Sequence, residues 1–211
     1  MCKKAAGFIC NKMELIVISS PDILADESAF INNLFIAGLK CFHIRKPNSN
    51  IHAHRQLIEG IMPQFYNRIS LHQFHETAAD YGIKRLHYTE RDREAASDKN
   101  IAELKTQGYI LSTSVHDKAL LPLLSAFDYA FYGPVFNSIS KPEYQSTFPV
   151  NFKLDRTNIR LKVIALGGID ISNLQKVKTM DFDGVAVLGT LWNQPDKAIE
   201  CFNQLKENLP V

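Results

Sequence analysis

The stretch Lys162-Val-Ile-Ala-Leu-Gly-Gly-Ile-Asp170 decides the fold. Val163 to Leu166 form an apolar run without polar alternation, which suits a parallel strand covered on both faces. Gly167 and Gly168 end that run. Lacking Cβ, they let backbone N–H groups approach an anion and admit positive φ, although a glycine pair can also simply turn the chain. A second strand end of the same kind follows in Gly184-Val-Ala-Val-Leu-Gly-Thr190. Two adjacent strand ends that present N–H groups resemble the phosphate site after the seventh and eighth strands of a (β/α)8 barrel.

Working outward, the remaining apolar runs fall at 14–19, 39–45, 68–72, 85–88, 109–114 and 128–132. Helical patterns separate them: 27–37, with Asp26 as N-cap and Gly38 as C-cap, then 51–61, a short one at 75–81, 101–107 and 117–126. Residues 90–94 are a charged stretch, and 135–160 is a Ser/Pro/Asn-rich segment expected to be a functional loop. Helices are expected at 172–179 and 196–208 on either side of the last strand, 184–188. Strands that alternate with helices in a chain of 211 residues predict an α/β fold, a single closed (β/α)8 TIM barrel rather than an open doubly wound sheet. The barrel domain is expected over 13–211, with 1–12 as an N-terminal extension, disordered or arising from a misplaced start.

Composition narrows the partners. A net charge of +2 with scattered Lys and Arg gives no nucleic-acid surface, so a small molecule is expected. The apolar run after Lys3-Lys4 is too short for a secretory core or a membrane span, which makes the cytoplasm the default and a membrane no partner. Cys2, Cys10, Cys41 and Cys201 show no C-x-x-C, so neither a zinc knuckle nor a disulfide framework is indicated. The oligomeric state stays open, a homo-oligomer included.

In such a barrel the functional groups sit at the C-terminal strand ends. His43 and Arg45, two residues apart, point to the same side and are expected in the mouth, where Arg45 suits a phosphate or carboxylate. His72-Gln73, Asp92 and Ser114-Val115-His116 end or follow the next strands, and Ser138, Ser140 and Lys141 offer hydroxyls and an ammonium to a phosphate or pyrophosphate. For each one alone there is a plainer reading. A strand-end histidine is more often hydrogen-bonded structure than a catalyst, and an aspartate in a charged stretch usually faces water.

The order His43-Ile-Arg45, Gly82-x-x-x-x-His87, Ser114-Val-His116, Tyr132-Gly-Pro-Val-Phe-x-Ser-x-Ser-Lys141, Ala165-Leu-Gly-Gly-Ile169 and Gly184-Val-Ala-Val187 resembles the thiamin phosphate synthase/TenI family over residues 14–205. The resemblance implies a thiazole phosphate held by backbone N–H groups of Gly168, Leu188 and Gly189, with Ser138 and Ser140 nearby; Ser114 and Lys141 complete the expected substrate- and phosphate-binding set. The family holds two activities. Synthases join hydroxymethylpyrimidine pyrophosphate to thiazole phosphate with Mg²⁺ on two aspartates; here only Asp92 matches a metal ligand. His43, Pro47 and His72-Gln73 replace the family's pyrophosphate and metal contacts. Lys46 is the expected substitute for the missing cation, and Gln73 a partial substitute for the missing carboxylate. TenI-type tautomerases aromatise a thiazole phosphate carboxylate without a cofactor, and His116 matches their general acid/base, with Arg45 or His43 to hold the carboxylate. The tautomerase is the preferred expectation. The synthase is the alternative, and a non-catalytic thiazole phosphate sensor is the alternative of another class.

Overall fold

The structure is a computed structural model describing residues 12–137, 148–149 and 151–210. Eight parallel strands close into one barrel in chain order: β1 (Glu14–Ile18), β2 (Cys41–Ile44), β3 (Ile69–Leu71), β4 (Arg85–Tyr88), β5 (Ile110–Val115), β6 (Tyr129–Tyr132), β7 (Lys162–Leu166) and β8 (Gly184–Val187). The β1–β8 register, with Ile16 opposite Ala186, closes the ring. The helices are α1 (Glu27–Ile36), α2 (Ile51–Glu59), α3 (Glu90–Ala95), α4 (Asp98–Thr106), α5 (Leu174–Thr179), α6 (Gly189–Trp192) and α7 (Ala198–Asn208). The expected single (β/α)8 barrel is therefore the fold.

Alternation along each strand divides the core in two. Outward side chains such as Val17, Phe42, Leu71, Leu111 and Val163 pack with Ile31, Leu34 and Phe35 of α1 and Phe202 of α7. Inward ones, Ile16, Ile18, Cys41, Tyr129, Phe131, Ile164 and Ala186, fill the barrel. The inward set is unusually polar. His43, Ser70, His87 and Ser112 lie in it fully buried.

Local chemistry revises several expected elements. Residues 75–81 and 118–123 form 3₁₀ turns rather than α-helices, the second carrying Pro122, whose ring cannot continue an α-helix. The charged stretch forms α3, because the Thr89 hydroxyl caps it by accepting the Asp92 N–H at 3.2 Å. Asp26 does stand at the N-cap of α1, but its φ is 54° and its side chain makes no cap bond. The glycine pair serves close approach. Past the strand ends the Val135 N–H donates to the Leu166 carbonyl at 2.9 Å and the Phe136 N–H to Gly167 at 3.1 Å. A Cβ on Gly168, whose φ is +63°, would stand 2.5 Å from the Asn137 carbonyl oxygen.

Candidate active site

The barrel interior carries a hydrogen-bonded histidine cluster. His43 Nδ1 lies 2.9 Å from His72 Nε2, and His43 Nε2 lies 2.7 Å from the Tyr129 hydroxyl across the barrel. His87 places Nδ1 2.9 Å from the Ser112 hydroxyl and Nε2 3.0 Å from that of Ser114. The His72 and His87 rings stack, with centroids 4.0 Å apart and planes inclined by 22°. Burial drives all three histidines below the ordinary imidazole range, His87 to about 3; the neighbouring His87 adds to the shift of His43 and His72, His75 to that of His87, and the Arg45 charge to those of His72 and His87. They are neutral, each with one N–H and one lone pair to place.

The three offer ring nitrogens within 4.8 Å of one another. The geometry nevertheless favours hydrogen bonding over metal binding. His43 Nδ1 and His72 Nε2 face each other at hydrogen-bond distance, and nearly parallel stacked rings direct their in-plane lone pairs side by side instead of to a common point. His43 is thus not a free mouth residue. It is a fully buried bridge between strands, held at both nitrogens, and Ser114 is tied into the same network.

Arg45 stands just beyond β2, its N–H donating to the Ser19 hydroxyl at 2.8 Å and its carbonyl accepting from that hydroxyl at 3.0 Å. Its charge is felt by His72 and His87. Lys46 does not share that position, contrary to expectation. Its ammonium is buried, donating to both Glu27 carboxylate oxygens and to the carbonyls of Ser20 at 2.8 Å and Asp22 at 2.7 Å. Gln73 is also committed to structure, since its Oε1 accepts the Lys46 backbone N–H at 3.0 Å.

Asp92 lies exposed in the first turn of α3, with Oδ2 accepting the Thr89 hydroxyl at 2.6 Å. His116 follows β5 and is exposed. Its Nδ1 donates to the Gly133 carbonyl at 2.9 Å, and its Nε2 has no partner among the described residues. It lines a cavity of about 260 Å³ with Tyr132, Phe148 and Phe152. These aromatics belong to the layer outside the strands, so the cavity is walled by that layer. Ser138, Ser140 and Lys141 lie outside the described residues.

The ends of β7 and β8 do come together. The Thr190 hydroxyl donates to the Ile169 carbonyl, Asn173 Nδ2 donates to the Gly168 carbonyl at 2.8 Å, and the Leu188 carbonyl accepts the first helical bonds of α6. The Gly189 N–H, at the first position of α6, has no acceptor within its own helix. Gly168, Leu188 and Gly189 thus share one corner of the C-terminal face.

Sequence reading missed Tyr129 as the partner of His43, Glu27 as the partner of Lys46, and the anchoring of His87 by Ser112. The signal for the last was present as period-two alternation, since Ser112 and Ser114 on β5 face the same side as His87 on β4.

The fold and the polar strand ends define a class of protein, the (β/α)8 barrel with its functional groups at the C-terminal face. The family model described as thiamine monophosphate synthase matches residues 15–191, and the chain belongs to that family. It is 24% identical over 193 residues to the thiamine-phosphate synthase of Clostridium tetani, covering 89% of this chain and 91% of that one. Among solved structures it resembles the thiamine phosphate pyrophosphorylase of Bacteroides thetaiotaomicron, with a TM-score of 0.73 and 26% identity over 93% of this chain and 97% of that one. The Pyrococcus furiosus protein of the same name shares the fold at a TM-score of 0.72 and 18% identity, over 94% and 96% of the two chains.

Proposed function

We propose that the protein is a thiamin phosphate synthase, joining hydroxymethylpyrimidine pyrophosphate to thiazole phosphate with release of pyrophosphate. The observation that carries this reading is the similarity along almost the whole chain to a relative named thiamine-phosphate synthase. It favours the synthase over the tautomerase that the sequence alone preferred. The site geometry supports the same choice. Tautomerisation needs a base facing the substrate, whereas the cavity that His116 lines is walled by aromatics of the outer layer and His43, His72 and His87 are tied into the barrel.

Coupling asks for no proton carrier. The bond from the pyrimidine methylene carbon to the pyrophosphate oxygen breaks with its electron pair leaving on pyrophosphate, and the thiazole nitrogen lone pair closes the new carbon–nitrogen bond. Arg45, at the mouth, would bind the leaving pyrophosphate and oppose its growing charge. The N–H groups of Gly168, Leu188 and Gly189 would hold the thiazole phosphate and so aim its nitrogen.

The family implies Mg²⁺, and the donor set fits an ion held largely by substrate. Asp92 is one exposed carboxylate whose Oδ1 has no partner among the described residues, and Mg²⁺ takes one or two carboxylates with substrate phosphates and water. When bound, the ion would neutralise pyrophosphate charge. Gln73 adds no ligand, because its oxygen is occupied by Lys46.

Replacing Arg45 tests the assignment. Arg45→Ala removes a charge-assisted contact made as pyrophosphate departs, and coupling should fall roughly 10- to 100-fold. Undiminished coupling in a folded Arg45→Ala protein would assign the leaving group to another cation.

A further inference from the structure

We propose that the opposite, N-terminal end of the barrel is a second binding site, built for the phosphate of a phosphorylated small molecule. A cavity of about 1000 Å³ opens there, between the starts of the strands and α7. It is separated from the mouth by the histidine cluster, for its inner wall is Cys41 and Tyr129, and the Tyr129 hydroxyl bonds His43 on the far side.

Charge decides what such a cavity accepts. Its lining includes the cations Lys12, Lys40, Arg85, Lys162, Lys178 and Lys206 against two carboxylates, Glu14 and Asp183. Both carboxylates are already engaged. Glu14 pairs with Lys162, while Asp183 pairs with Arg156 at 2.9 Å and accepts the Val163 N–H at 2.7 Å. The other cations of the lining therefore have no carboxylate partner among the described residues.

Arg85 is the centre of this arrangement. Its strand position faces it inward, its Nε donates to the Asn67 carbonyl at 3.1 Å, and its terminal nitrogens have no partner among the described residues. Its charge reaches the buried wall. Burial raises the Cys41 thiol and the Tyr129 phenol, and Arg85 opposes the rise in both. A planar guanidinium whose terminal donors have no partner among the described residues, with Lys40 and Lys178 in the same lining, matches a phosphate group. Leu39, Phe182, Phe202 and Leu209 supply apolar wall, so the remainder of the ligand would be apolar or aromatic. The inference is independent of the reaction at the mouth.

Inorganic pyrophosphate is the probe, titrated calorimetrically in EDTA so that no Mg²⁺-dependent binding at the mouth contributes. The expected result is saturable binding of one pyrophosphate per chain, retained in the mouth variant Arg45→Ala. The double substitution Lys40→Gln/Lys178→Gln, on side chains with no partner to lose among the described residues, should weaken it by roughly tenfold or more. Arg85→Gln should weaken it further, with circular dichroism confirming the fold. Absence of saturable binding in EDTA would overturn the proposal. So would binding that disappears in Arg45→Ala and persists in the lysine double variant, because the anion would then sit at the mouth.

Discussion

The Lys46 ammonium lies 2.7 Å and 2.5 Å from the two carboxylate oxygens of Glu27, with both side chains 1% exposed. Burial raises the Glu27 carboxyl and lowers the Lys46 ammonium, and each partner opposes the other's shift. The pair ties the end of β2 to the start of α1, and it takes the lysine next to Arg45 out of reach of any ligand in the mouth.

Breaking one side of this pair should be costly. Glu27→Gln leaves a buried ammonium without its carboxylate and is expected to destabilise the protein by about 3–5 kcal/mol. Lys46→Met/Glu27→Leu should recover most of that loss, and it should keep coupling activity because Lys46 does not touch substrate. Urea unfolding of the three proteins checks this; a Glu27→Gln protein within about 1 kcal/mol of the parent would deny the pair its structural role.

The histidine cluster sets a pH dependence with a definite sign. His43, His72 and His87 have folded pKa values below the ordinary imidazole value, His87 about 3, so the unfolded chain takes up protons first as pH falls. Above the unfolded pKa both states are neutral and stability is flat. Between roughly pH 6.5 and the lowered folded values, each histidine costs about 1.4 kcal/mol of stability per pH unit. Urea midpoints should therefore drop steeply from pH 7 to pH 5, and His87→Gln should lessen the slope by one proton. A midpoint that is flat over that range would mean the cluster is charged in the folded protein.

Much of the fold was legible because a parallel barrel writes each strand as an apolar run and each crossover as a helical pattern. Strands 162–166 and 184–188 needed nothing but their own residues. The 3₁₀ turns at 75–81 and 118–123 did not stand out, since helical spacing over so few residues cannot distinguish the two helix types. That Arg45 and the glycine corner stand at C-terminal strand ends was legible, because position along a strand is enough for that. The fates of His43 and Lys46 were not, because both turn on partners far along the chain, Tyr129 and Glu27, and no local pattern reports such a pairing. His116 follows β5 as the sequence order implies, and its hydrogen bond to Gly133 across to the next strand end was not legible.

Gly168 is required by geometry before any ligand is considered. At φ +63° a side chain is strained, and a Cβ would stand 2.5 Å from the Asn137 oxygen and 2.8 Å from the Phe136 carbonyl carbon. Gly168→Ala should lose at least roughly 2 kcal/mol of stability, seen as a lower midpoint in thermal unfolding. An unchanged midpoint would show that the β6 and β7 ends can separate freely.

In the proposed synthase reading, Asp92 is the carboxylate that would hold Mg²⁺ together with substrate. Asp92→Asn should raise the Mg²⁺ concentration needed for half-maximal coupling by roughly tenfold or more while leaving stability within about 1 kcal/mol, because the residue is exposed and its side chain bonds only the Thr89 hydroxyl at the start of the short helix α3. An unchanged Mg²⁺ requirement would place the ion on other ligands.

The central claim is that this barrel couples two precursors rather than moving a proton within one. The direct measurement incubates the full chain with hydroxymethylpyrimidine pyrophosphate, thiazole phosphate and Mg²⁺ and follows thiamin phosphate and pyrophosphate together. The account predicts equal amounts of both products and their loss on adding EDTA. Absence of thiamin phosphate, alongside EDTA-insensitive aromatisation of thiazole phosphate carboxylate that is lost in His116→Gln, would contradict it.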